Sequence, residues 1–335
     1  MSSRSSGGRS SGKLAHIMAH GDLDGLTSAA TIANALLNEG WSIRISVAAP
    51  HTLQRALQPL EAPSVSLLVI VDIALDDVVW PQVREKLASL TSKGARVLWI
   101  DHHKSTGERA EEILSLNVDL MWAPELSVAP MVRRTFLDKT DDRAFFSKLL
   151  LLGEAGDRAT RIERSSYLSK ILEAVSLALD LDPLDEAFRV KLVRMWASRK
   201  ALVDDEVALR SEEAYEVFAK LLNRSKERLA CVTDKAVVID MVGVRMRGFA
   251  GRLAAYTAEN TGRVCFVVLR AGFNELVVTC RVPKGLNVNA HEIARRIAAR
   301  FGGSGGGHER AASARVPLHA KDEVLSFLRE LCGKL

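Results

Sequence analysis

Three short, largely apolar runs near the start of the chain each end on acid or histidine. Residues 15–19 (AHIMA) lead into His20-Gly21-Asp22-Leu23-Asp24-Gly25, residues 66–71 (SLLVIV) into Asp72, and residues 97–100 (VLWI) into Asp101-His102-His103. Runs this short and apolar suit strands buried on both faces of a parallel sheet. In such sheets functional groups gather beyond the carboxyl ends of the strands. The three ends bring four carboxylates and three imidazoles to one sheet edge. Anionic groups so crowded repel one another unless a cation neutralises them. The pattern points to a metal site that carries out chemistry.

The surrounding pattern supports an α/β fold. Helical patterns over 26–37, 51–60 and 81–92 alternate with strand patterns over 41–48, 66–71 and 96–100, which predicts a mainly parallel sheet. A helix near 108–114, a short strand at 120–122 and helices over 128–152 follow, ending in Gly153-Glu154-Ala155-Gly156-Asp157. From 167 to 229 apolar residues recur at three- and four-residue steps, interrupted once by Pro183, as in a helical connector. The last hundred or so residues read as a smaller α/β domain. Its predicted strands are 236–241, 263–270, 275–281 and 312–317, and its predicted helices 248–260, 290–301 and 322–332. The division expected is 1–12 tail, 13–165 first domain, 166–232 connector and 233–335 second domain.

Composition narrows the class. A chain of 335 residues, 47% hydrophobic and 26% charged, has room for two soluble domains. No apolar stretch reaches membrane-spanning length, so no membrane partner is expected. The opening MSSRSSGGRSSGK lacks the apolar centre of a secretory signal; it reads as a flexible Ser/Gly tail, solvated or a weak arm for nucleic acid. The net charge of +5 suits a polyanionic partner better than a cationic one. Cys231, Cys265, Cys280 and Cys332 form no CxxC pair, which leaves zinc-finger and thioredoxin-like motifs unsupported and suits a reducing cytoplasm.

Taken singly, each motif has two readings. Asp22 and Asp24 suit a divalent cation, or are an ordinary helix cap in a turn. Asp72 is a ligand shared by two ions, or a cap for the segment that follows. His102 and His103, adjacent at a strand end, point in different directions and should have different tasks. Asp157 is a ligand, or forms a surface pair with Arg158. In GGSGGGH (302–308), bare glycine N–H groups could receive a phosphodiester, or the run is a flexible loop. The five tryptophans read as core or interface. Arg245, Arg247, Arg252, Arg295, Arg296 and Arg300 either line a nucleic-acid groove or form solvated basic faces.

In order and spacing, HGDLDG, the Asp72 strand end, DHH and GEAGD resemble the DHH phosphoesterase superfamily. The C-terminal part resembles the DHH-associated domain (DHHA1): Thr279-Cys280-Arg281 stands at its Ser-x-Arg segment, Asn287-Val288-Asn289 precedes its last long helix, and GGSGGGHERAAS is similar to its GGGHxxAAG signature. The resemblance covers nearly all of the chain except tail and connector. It implies that His20, Asp22, Asp24, Asp72, His102 and Asp157 bind two divalent ions, manganese first and magnesium as an alternative. Asp72 would bridge them, Asp101 would orient the histidines, and His103 would face the scissile phosphate. Arg281, Asn287, Gly305, Gly306, Gly307, His308 and Arg310 would hold substrate.

The first motif and GEAGD look like those of archaeal RecJ-like nucleases. That likeness implies an exonuclease on single-stranded DNA or RNA, with a helicase or a replication or repair protein as a potential partner. The same domain pair also serves small-substrate phosphoesterases acting on oligoribonucleotides, cyclic dinucleotides or 3′-phosphoadenosine phosphate, and some relatives are non-catalytic replisome scaffolds. Two positions depart from the pattern. Met18 stands where many phosphatase-like members have histidine, and Ser313 stands where the signature has glycine.

Overall fold

A computed structural model describes residues 13–335; the segment 1–12, expected to be a tail, lies outside the described residues. The chain divides into two compact units. The first comprises residues up to Leu172 together with Asp185–Leu202, and the second Glu173–Leu184 with Val203–Leu335.

In the first unit, β1 (Leu14–Ala19), α1 (Leu23–Asn38), β2 (Ser42–Val47), α2 (Leu53–Leu57), β3 (Leu67–Val71), α3 (Trp80–Ser92) and β4 (Arg96–Asp101) follow in turn. Then come α4 (Lys104–Gly107), α5 (Ala110–Leu114), β5 (Val118–Trp122), α6 (Ala129–Phe136) and α7 (Arg143–Gly156). The sheet has the order β2-β1-β3-β4-β5 and every pairing is parallel. β3 (LLVIV) is buried along its whole length, because helices cover both faces of such a sheet. Each of those side chains contributes about 1.5–3 kcal/mol of burial. β1, β3 and β4 run side by side, so their carboxyl ends form one edge, where His20, Asp72 and Asp101-His102-His103 emerge.

The helical stretch 166–232 is shared between the units. α8 (Tyr167–Leu181) crosses the division, α9 (Glu186–Arg199) belongs to the first unit and packs on α1 and β2, and α10 (Asp205–Lys226) belongs to the second. Residues 229–232, read as the end of that stretch, form a strand of the second unit's sheet.

The second unit continues with β6 (Leu229–Val232), β7 (Ala236–Asp240), α11 (Ala250–Thr261), β8 (Val264–Ala271), β9 (Glu275–Arg281), α12 (Ala290–Phe301), β10 (Ser304–His308), β11 (Ala311–Pro317) and α13 (Lys321–Cys332). Its mixed sheet has the order β10-β11-β9-β8-β7-β6, with only β7 and β8 parallel. One face packs on α12 and α13 and the other on α10 and α11. The glycine run, for which loop readings stood open, is the edge strand β10. Ser313 pairs with Gly306 and Thr279 within a regular β11, so serine in place of glycine leaves the backbone path undisturbed.

Candidate metal centre

The first motif turns from β1 into α1. Asp22 caps α1, its Oδ1 accepting from the Gly25 N–H at 3.1 Å, while its Oδ2 lies 2.7 Å from Nδ1 of His20. The cap reading and the ligand reading thus fall on different oxygens of one carboxylate. Gly25 is required sterically, since a Cβ there would lie 2.6 Å from the His20 carbonyl oxygen. Asp24 is fully buried; its Oδ2 accepts from the Val128 N–H at 2.7 Å and its Oδ1 has no hydrogen-bond partner.

Asp72 follows β3 with φ +61° and is 1% exposed. A non-glycine residue in that left-handed region costs about 1–3 kcal/mol, a strain that clusters at functional sites. Neither carboxylate oxygen of Asp72 has a hydrogen-bond partner. Oδ2 lies 3.9 Å from His20 Nδ1, and Oδ1 lies 3.2 Å from His102 Nε2.

The two histidines after β4 take different partners. His102 Nδ1 lies 3.1 Å from the Glu125 carbonyl, which can only accept, so this nitrogen carries a proton. Burial, and next the His103 charge, lower the His102 pKa and favour the neutral ring. Its Nε2 lone pair then faces Asp72, with Asp157 Oδ2 at 3.7 Å. His103 Nδ1 bonds Asp101 Oδ1 at 2.8 Å. Burial opposes the charged ring, but the Asp101 carboxylate outweighs it and raises the His103 pKa.

GEAGD works through its glycines. A Cβ on Gly153 would lie 2.4 Å from Thr27 Oγ1 and 2.9 Å from Asp24 Oδ1; one on Gly156 would lie 3.1 Å from Leu23 Cβ. Two bare positions one turn apart let α7 lie against α1, which carries Asp157 at its end to Asp24 and His102.

The arrangement is two neighbouring groups of donors, His20–Asp22–Asp72 and Asp24–His102–Asp157. Within each, one ligand atom per residue lies within 4.8 Å of the others. Asp101 and His103 complete a third such group with Asp72 and His102. Electrostatics show the strain of crowding. Burial, then Asp22, push Asp24 up to about 7. Burial, then Asp22, Asp24, Asp157 and Asp101, raise Asp72 well above the carboxylate range, and burial with Asp22 and Asp24 does the same to Asp157. Burial also works against ionised Asp22, but the adjoining His20 charge prevails and lowers its pKa. Buried oxygens without hydrogen-bond partners, a lone pair opposite a carboxylate and a nitrogen–oxygen donor set all fit divalent cations of the manganese or magnesium type.

All six expected metal ligands, with Asp101 and His103, therefore meet in the first unit. Met18, at the alternative histidine position, is a fully buried core residue. In the second unit, Arg281, His308 and Arg310 gather at one end of the sheet, since Ala311 pairs with both His308 and Arg281. Arg310 Nε donates to the Val282 carbonyl at 3.2 Å and Arg281 Nη1 to the Cys280 carbonyl at 3.0 Å. Asn287 is exposed, and Asn289 caps α12 by accepting from Glu292 N. Gly305 and Gly307 have reasons inside the fold: a Cβ on either would lie 2.5 Å from a carbonyl oxygen, of Ala294 and Ala311 respectively. Gly306 has open space, with His291 its nearest neighbour at 3.8 Å. Residue-type patterns miss Glu125 and Val128, which act through their backbones, and Trp122, whose core-or-interface reading does not disclose that it donates to the His103 carbonyl at 2.8 Å.

Fold and site together define a class: a parallel α/β domain with a histidine–carboxylate centre at its strand ends, followed by a mixed-sheet domain. Residues 15–137 match the DHH family N-terminal domain and residues 236–334 the DHHA1 domain. The chain belongs to the DHH phosphoesterase superfamily. No curated protein matches it at the level of sequence.

Among solved structures it is similar to RecJ of Thermus thermophilus in complex with Mn2+ (18% identity, TM-score 0.63, covering 97% of this chain and 52% of that one). It is also similar to the pGpG-specific phosphodiesterase PggH of Vibrio cholerae (16%, 0.53, 96% and 99%) and to CDC45 of Entamoeba histolytica (9%, 0.59, 95% and 95%). The chain thus spans about half the length of the RecJ chain. No described helix is long and apolar enough to cross a membrane.

Proposed function

We propose that this protein is a phosphodiesterase dependent on two divalent cations, Mn2+ or Mg2+, and that it removes nucleotides from the ends of single-stranded DNA or RNA. One observation carries the reading. The Asp72 carboxylate is buried, strained and without hydrogen-bond partners, yet lies within reach of His20 on one side and His102 on the other. On this reading His20, Asp22 and Asp72 would hold one ion and Asp24, His102 and Asp157 the other, with Asp72 within reach of both groups. When bound, such ions polarise a phosphoryl oxygen and ease the deprotonation of water.

The chain's own residues do the rest. The Glu125 carbonyl fixes the His102 tautomer and the Val128 N–H fixes Asp24. Asp101 holds the Nδ1 proton of His103, so that ring presents positive charge to a phosphate oxygen. In the second unit, Arg281, His308 and Arg310 would offer donors to phosphates, and Asn287 and the Gly305-Gly306-Gly307 edge strand would hold substrate with them. The four free cysteines suit a reducing cytoplasm, and a helicase or a replication or repair protein is the partner such a nuclease would serve.

The likeness to PggH favours a second reading, hydrolysis of dinucleotides, because the shared fold covers nearly all of that chain. The likeness to CDC45 raises a scaffold role; the intact donor set argues against it. Purified protein with Mn2+ and end-labelled DNA and RNA of graded lengths separates the three. Stepwise shortening of long strands is the expected result. Cleavage of only the shortest oligomers would establish the small-substrate reading, and no metal-dependent cleavage of any substrate would overturn enzymatic function.

A further inference from the structure

The loop that supplies His20 and Asp22 is tied at three points. The His20 N–H bonds the Val71 carbonyl at 3.1 Å, which fastens the loop to β3, and the Asp22 carbonyl accepts from Leu26 N at 3.1 Å, which fastens it to α1. Between them, the joint from strand to helix is the peptide carbonyl of Gly21. Its partner comes from far along the chain: Nε of Arg189 donates to it at 2.9 Å.

Arg189 lies on α9, within the same compact unit, and is only 6% exposed. Its Nη1 donates to the Asp185 carbonyl at 3.2 Å, so the planar guanidinium is held by its own helix while it holds the loop. A lysine ammonium, one point at the end of a flexible stem, cannot reproduce that two-way grip. Gly21 is the complementary half of the contact. A Cβ at that position would lie 3.0 Å from Arg189 Nε, 3.2 Å from its Cδ and 3.1 Å from Val47 Cγ1. The glycine inside HGD therefore makes room for the guanidinium. Burying a guanidinium is unfavourable unless its N–H groups are bonded, and here one bond goes to the carbonyl between two metal-ligand candidates.

We infer that Arg189 is a positioning residue of the metal centre: it fixes the His20-Gly21-Asp22 backbone, and through it both side chains, without touching ion or substrate. The inference rests on the metal-centre reading above. It also gives α9, from the stretch that looked like a connector, a direct part in the site.

The test is Mn2+ binding to the metal-free full-length protein by titration calorimetry, with thermal unfolding of the same metal-free samples as the control for a merely structural role. Arg189→Lys, Arg189→Leu and Gly21→Ala are compared with wild type. The expected result is Mn2+ affinity weakened about tenfold to a hundredfold in Arg189→Leu, less in Arg189→Lys, and to a similar degree in Gly21→Ala, which displaces the guanidinium without removing it. The loss in affinity should not track the metal-free melting temperature across the three. Should Arg189→Leu fail to fold, Arg189→Lys and Gly21→Ala decide the matter alone. Variants that bind Mn2+ as tightly as wild type, or lose affinity only in proportion to stability, overturn the inference and leave the metal centre standing. A wild-type protein that binds no Mn2+ overturns the metal centre itself.

Discussion

Oδ1 of Asp72 stands 3.2 Å from Nε2 of His102, and the opposite nitrogen of that ring is engaged with the Glu125 carbonyl. Once Asp72 is ionised, its oxygen and the ring lone pair repel at that separation; a cation would turn them into two ligands. Asp72→Asn keeps the shape and removes the charge. Its Mn2+-dependent hydrolysis is expected to fall at least about a hundredfold. The metal-free variant should melt within about a few degrees of wild type, because burial and the neighbouring carboxylates already favour the uncharged form of Asp72. Initial rates and calorimetry check the two halves. A variant that stays active and loses stability would make Asp72 a structural residue.

The raised carboxylates give the metal-free protein a characteristic pH response. Burial and Asp22 place Asp24 at about 7, so the folded state keeps a proton that the unfolded chain releases near the ordinary carboxylate value. A group raised in this way favours the fold at low pH, and its contribution is lost as pH climbs through the folded value. The metal-free melting temperature is therefore expected to fall from about pH 6 to about pH 8. Added Mn2+ should raise it more at the higher pH, where the ligands are already ionised. A Mn2+ effect larger at the lower pH would contradict the assignment.

Trp122 supports the DHH turn from outside it. Its Nε1 bonds the His103 carbonyl at 2.8 Å, and its ring fills the space over Gly107, where a Cβ would come within 2.3 Å of Cε2. Trp122→Phe keeps the packing and removes the bond. Turnover is expected to drop about tenfold with little change in KM. Gly107→Ala, which pushes the ring aside, should show the same split in steady-state kinetics.

The glycine strand allows packing and the proposed substrate binding to be tested separately. Gly305→Ala puts a Cβ 2.5 Å from the Ala294 carbonyl oxygen, so it should destabilise the second unit by about 1–3 kcal/mol. Gly306→Ala meets nothing closer than 3.8 Å and should leave melting unchanged while raising KM for nucleic acid. Chemical denaturation and a substrate titration distinguish the two.

The sheet of the first unit was readable because burial on both faces leaves unbroken apolar runs, as in 67–71. The cluster of candidate ligands was readable because its members follow the ends of such runs or, for Asp157, the end of a long helix. What holds them was not. Arg189 is 168 positions from Gly21, and no local pattern announces a bond across that distance. Glu125 contributes a carbonyl, which every residue type carries, and Val128 an N–H, which every type except proline carries. The glycines of 302–308 suggested a loop or a phosphate cradle because composition does not reveal that α12 presses on the strand they form. Apolar residues recur at three- and four-residue steps through 166–232, which says that the helices pack but not on which unit.

Calorimetric titration of the metal-free protein with Mn2+ tests the central claim most directly. Two ions should bind per wild-type chain, and fewer than two, more weakly, in Asp72→Asn. No binding by the wild type, or the same stoichiometry and affinity in both proteins, would contradict a two-cation centre built around Asp72.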